Sequence, residues 1–122
     1  MITNKYANAD KNELAERLDT IGTARDGRVS ASVFRDTKHY NRYILLPRGA
    51  DDAYVIRAAK YGTAYDILNI LRDERDDAAD KAERWSLNPR VEQSEIDYFK
   101  NRAHVYGSLL NDMRDYINNI SK

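Results

Sequence analysis

The stretch "IDYFKNRAHVYGSLLNDMRDYINNI", Ile96 to Ile120, decides the fold class. Its apolar residues Ile96, Phe99, Ala103, Tyr106, Leu110, Met113, Ile117 and Ile120 are separated by alternating steps of three and four. Only a helix brings such positions onto one face, and the spacing is that of a heptad seam. A second seam precedes it: Tyr54, Arg57, Tyr61, Ala64, Leu68, Leu71, Arg75, Ala78, Ala82 and Trp85. Between the two, "WSLNPRVEQSE" carries Asn88-Pro89 and Ser94-x-x-Asp97, both helix-start signals.

A connection this short predicts neighbouring antiparallel helices, a long coiled-coil-like helical hairpin over residues 51–122. Pairing Trp85 with Ile96 or Phe99 sets Ala78 against Ala103, Arg75 near Tyr106 and Leu71 against Leu110. Gly62 then falls inside the first helix at a cost of about 1 kcal/mol relative to alanine, and marks a kink or a close approach. Ala58 and Tyr65 on one helix, with Leu109 and Tyr116 on the other, widen the apolar faces beyond the seams. One helix pair cannot cover that surface, so the rest of the chain or a second copy must do so.

The first fifty residues predict a short N-terminal helix followed by a β-hairpin. "ADKNELAERLDTIGT" puts Leu14, Leu18 and Ile21 on one helical face, with Gly22 placed to cap it. "ARDGR" is a turn around Asp26-Gly27. "VSASVFR" alternates Val29, Ala31 and Val33 against Ser30, Ser32 and Phe34, and "YNRYILLP" pairs back on it across Asp36-Thr37-Lys38. Pro47, which lacks a ladder donor, closes that strand. The expected fold is α+β and mostly α, a single domain over 1–122: short helix and β-hairpin in 1–50, helical hairpin in 51–122.

Twenty basic residues balance twenty acidic ones. That balance argues against a generic nucleic-acid coat and against a polyanionic mimic, since each needs a field of one sign. With no cysteine there is no disulfide, thiol nucleophile or thiolate metal site. No apolar run reaches spanning length, and "MITNKYANADKNE" shows no hydrophobic signal core, so a cytoplasmic location is expected.

Catalytic signals are weak. His39 and His104 fall on different elements, and "RDERDDAAD" interleaves acids with arginines at helical spacing, as Asp77 and Lys81 do, without the glycine of a calcium loop. Glu74-x-x-Asp77 and Glu92-x-x-Glu95 are loosely spaced like the carboxylate pairs of all-α magnesium-dependent nucleotide pyrophosphatases, but the helix register keeps them apart. No serine sits in a glycine elbow, and no glycine-rich loop could cradle a phosphate. The expectation is no enzyme, no cofactor and no metal.

Binding signals are stronger. "RDTKHYNRYILLPRG", Arg35 to Gly49, interleaves Arg35, Lys38, His39, Arg42 and Arg48 with Tyr40 and Tyr43. Cations and rings of this kind hold phosphates and stack on bases, although arginines and lysine on an edge hairpin also deter strand-to-strand aggregation. Strand alternation would put Tyr40, Arg42 and Ile44 on one face. Arg57 and Arg75, in seam positions, each require a partner, which a phosphate or a ring such as Tyr106 would supply. The candidate binding residues are therefore Tyr40, Arg42, Arg48, Arg57, Tyr61 and Arg75. Nine of the twelve aromatics are tyrosine, six of them from Tyr54 onward, a composition suited to interfaces and to a homo-oligomer.

The run "YILLPRGADDAYVIRAAKYGTAYDILNILRDE" resembles a group of small phage- and prophage-encoded accessory proteins. The likeness rests on Leu46-Pro47, Tyr61, Asp66 to Leu68 and Leu71-Arg72, within about a quarter of the chain. It implies an accessory role in which binding to host molecules is common. The expected function is a small non-enzymatic binding protein that inhibits or sequesters a host protein or a nucleotide signal, as an anti-defence factor would. A nucleic-acid-binding regulator, a structural or assembly protein, and the magnesium-dependent hydrolase are the alternatives.

Overall fold

The computed structural model describes residues 18–49 and 53–120. Strands β1 (Leu18–Asp26), β2 (Val29–Asp36), β3 (Tyr43–Arg48) and β4 (Lys60–Gly62) form an antiparallel sheet in sequential order, followed by helices α1 (Ala64–Ser86) and α2 (Gln93–Ile120). The fold is thus α+β, but the sheet has four strands where a single hairpin was expected.

The N-terminal helix is the first correction. Its portion from Leu18 onward is β1, and the remainder lies outside the described residues. Asp26-Gly27 joins two strands, not a helix and a strand: Asp26 pairs with Val29 around Gly27-Arg28. Gly27 takes φ +57°, the left-handed first position that favours glycine in a two-residue hairpin turn. Gly22 caps nothing. It lies in β1 just past a bulge, where the register slips between Thr20 and Gly22. That bulge interrupts the long outer edge of β1 and makes it a poor template for another strand.

The expected alternation of β2 holds. Val29, Ala31 and Val33 enter the core under the helices, whereas Phe34 enters a second cluster on the opposite face. β3 starts later than expected, at Tyr43, so Tyr40 to Arg42 belong to the preceding loop. Pro47 does not end the strand. It pairs with Ala31, and its carbonyl accepts from the Val55 N–H at 2.8 Å.

The second seam is also corrected. Residues 54–62 are not α-helical: Tyr54 bridges back to Arg48, Ile56–Ala58 make one 3-10 turn, and β4 pairs Gly62, Tyr61 and Lys60 with Tyr43 to Leu45. This strap covers the second cluster, Phe34, Ile44, Leu46 and Ala59, with Tyr54, Ile56 and Tyr61. Gly62 is consequently not mid-helix. It marks a close approach, since a Cβ there would lie 2.7 Å from the Asp66 Cβ. Thr63 starts α1 with a capping box in which its side chain accepts from the Asp66 N–H and the Asp66 carboxylate accepts from the Thr63 N–H.

The helices pack side by side, with Trp85 edge-on to Phe99 at 4.8 Å and the Arg75 side chain beside Gly107. They do not make the long coiled-coil-like hairpin expected over 51–122. α1 begins at Ala64, and α2 buries Val105 and Leu109, which are off its seam, together with Tyr106, Leu110 and Met113. Those off-seam residues share one core with Val33, Tyr43 and Leu45 of the sheet. Each fully buried leucine contributes about 1.5–3 kcal/mol, so covering a second apolar face on α2 outweighs a narrow two-helix seam. Of the two covers expected for these faces, the rest of the chain or a second copy, the sheet is the one seen here.

An ion cluster locks β4 to both helices. Glu74 accepts from Lys60 at 3.2 Å and from Arg102, whose guanidinium lies 4.7 Å from the centre of the Tyr106 ring. Burial works against the Glu74 charge, but the Arg102 hydrogen bond and the Lys60 charge outweigh it and hold the carboxyl below its ordinary value.

Candidate functional site

The loop between β2 and β3 is shaped by its own backbone. The Asp36 N–H donates to the Arg42 carbonyl at 3.0 Å, and the buried Asp36 carboxylate accepts from the Lys38 N–H at 2.9 Å, an Asx-type turn. Asn41 takes φ +56°, a conformation that asparagine tolerates better than most residues. Closing the loop this way leaves Lys38, His39 and Tyr40 exposed.

Under the loop lies a cavity of about 430 Å³. It is lined by the cations Arg35 and Lys38, by the His39 imidazole, and by the rings of Tyr40, Tyr43 and Tyr116, with Ile120 at the end of α2. Arg35 and Tyr43 are paired across β2 and β3, so strand register fixes one cation beside one ring. Tyr43 meets Tyr116 edge-on, with ring centroids 6.0 Å apart. Burial, then the neighbouring Tyr116, raises Tyr43 above the ordinary tyrosine value, so its hydroxyl stays protonated. Arg35 donates to Asp19 of β1 at 2.8 Å, and this hydrogen bond strengthens its hold on its proton. The chemistry available is capture of an anion beside a flat apolar group.

Of the six residues singled out in the sequence, the structure brings only Tyr40 to this cavity. Tyr40 does not share a strand face with Arg42, because neither lies in β3. The Arg42 guanidinium lies 5.9 Å from the Tyr61 ring centre. Arg48 sits 4.6 Å from the Tyr54 ring centre and donates to the Tyr54 hydroxyl at 2.6 Å. Arg57, on the 3-10 turn, lines a shallower cleft with Tyr54. Arg42, Arg48, Arg57 and Tyr61 therefore gather around the strap, where two of the three arginines already lie over rings of their own chain.

Arg75 is elsewhere again. It pairs with Asp76 at 2.9 Å beside His104 and Ser108 on the outer side of the helices, and the arginine on Tyr106 is Arg102. Among the described residues no group of three or more histidine, aspartate or glutamate side chains gathers to hold a metal ion.

Sequence reasoning passed over Tyr116 and Asp19. Tyr116 was legible only as a widening of the apolar face of α2, and Asp19 was assigned to a helix. No helix of the described residues is long and apolar enough to cross a membrane. Compared with family models, with curated proteins and with solved structures, the chain finds no match.

Proposed function

We infer that this is a small non-enzymatic binding protein that captures an anionic ligand in the cavity beneath the β2–β3 loop. One observation carries the reading: Arg35, Lys38 and His39 line the same cavity as Tyr40, Tyr43 and Tyr116. Phosphate groups are the anions that such cation clusters hold best. Binding without turnover sequesters a ligand, which is how a phage-type accessory or anti-defence factor would act on a host signal.

The test is a two-dimensional amide NMR titration with inorganic phosphate. Shifts confined to residues 35–43 and the end of α2, lost in the double variant Arg35→Ala/Lys38→Ala, support the site. No shift at millimolar phosphate would rule it out.

A further inference from the structure

We propose that the ligand is a mononucleotide, whose base lies against the tyrosines of the cavity while its phosphate meets Arg35, Lys38 and His39. The inference rests on the anion site proposed above and goes beyond it by assigning work to the aromatic rings.

Tyr40 is the first observation. It is fully exposed, at 101 % of its reference surface, on a loop whose backbone is held by Asp36. A lone exposed ring is ordinary, but this one shares its cavity with a second exposed apolar side chain, Ile120 at 55 %. Against these two exposed side chains the same cavity has the buried Tyr43 ring, which meets Tyr116 edge to face. A ligand carrying charge alone would leave those surfaces wet. A planar base would cover them, and every base offers a π-face that stacks on tyrosine.

The single carboxylate on the wall does not oppose this arrangement. Asp36 accepts from the backbone N–H of its own loop, so its charge is directed at the turn. Asp19 stands beside Arg35 and is the group that an incoming phosphate would displace. The volume, about 430 Å³, falls in the range of small-molecule sites.

The experiment is calorimetric titration of the protein with AMP, UMP and ribose 5-phosphate, repeated on Tyr40→Ala. That variant changes an exposed loop residue and leaves the core intact. At least one nucleotide is expected to bind tenfold or more tighter than ribose 5-phosphate, about 1.4 kcal/mol, and Tyr40→Ala is expected to collapse that preference to threefold or less. Nucleotides binding no better than ribose 5-phosphate would overturn base recognition and leave the anion site standing. A preference that survives Tyr40→Ala undiminished would also overturn it. Absence of binding by all three, with no amide shift in phosphate, would remove the anion site and this inference together.

Discussion

Asp19 and Arg35 face each other across β1 and β2, joined at 2.8 Å at the rim of the cavity. The pair places an internal carboxylate where a ligand's anion is proposed to sit, so Asp19 competes for the same guanidinium. Replacing it by Asp19→Asn should raise affinity for inorganic phosphate about threefold, the scale of an exposed ion pair. Titration of both proteins at one ionic strength checks this. Equal affinities would show that Arg35 takes no part in anion capture.

The junction of β4 and α1 leaves no room for a side chain. Gly62→Ala would drive its Cβ into the Asp66 side chain, 2.7 Å away, and disturb the capping box. A loss of about 1–3 kcal/mol is expected from overpacking. Thr63→Ala, which removes the cap without adding volume, should lose about 1 kcal/mol. Urea denaturation of the two variants gives both numbers, and Gly62→Ala unfolding like the parent would refute the close approach.

Glu74 gives stability a dependence on acid. Its carboxyl is held below its ordinary value in the folded chain, so its contribution is fully present above the unfolded value, about 4.3. The contribution is lost as pH falls through the folded value. Unfolding midpoints measured between pH 6 and 3 should therefore drop more steeply for the parent than for Glu74→Gln. Parallel curves would mean that the Lys60–Glu74–Arg102 cluster does not stabilise the fold.

Arg75 and Arg102 separate a surface arginine from a packed one. Arg75 pairs with its neighbour Asp76, and Arg75→Ala should change stability by less than about 0.5 kcal/mol and leave phosphate binding unaltered. Arg102→Ala strips Glu74 of one partner and Tyr106 of the guanidinium over its ring, and should cost about 1–2 kcal/mol. Thermal unfolding of the two side by side is the measurement, and equal losses would reverse the assignment of roles.

Much of α2 was legible because a helix's periodicity is local: Tyr106, Leu110 and Met113 fell on one face by spacing alone, and all are buried. The alternation of β2 was legible for the same reason. The stretch from Leu18 to Thr23 was misread because Leu18 and Ile21 stand three apart, like one helical face, whereas in β1 they pack against opposite faces of the sheet. Tyr54, Arg57 and Tyr61 continued the α1 spacing by coincidence, and Gly62-Thr63 with Asp66 was the local signal that the helix starts afterward. The basic stretch from Arg35 was legible as residue types, but the way the fold distributes them was not. Arg42 and Arg48 are drawn to Tyr61 and Tyr54, rings that come near only when the strap folds back.

The sequence by itself determined that this chain has two helices whose C-terminal ends match those of its apolar seams, a hairpin turning after Asp36, and a cation-rich, tyrosine-rich stretch. Those features follow from spacing and turn chemistry within about ten residues. Tertiary structure alone decided that the sheet has four strands, that the helices lie on it, and that Tyr116 closes a cavity against Tyr43. Such contacts join residues far apart in sequence, and they form because burying apolar area from both partners outweighs any preference that either segment carries alone.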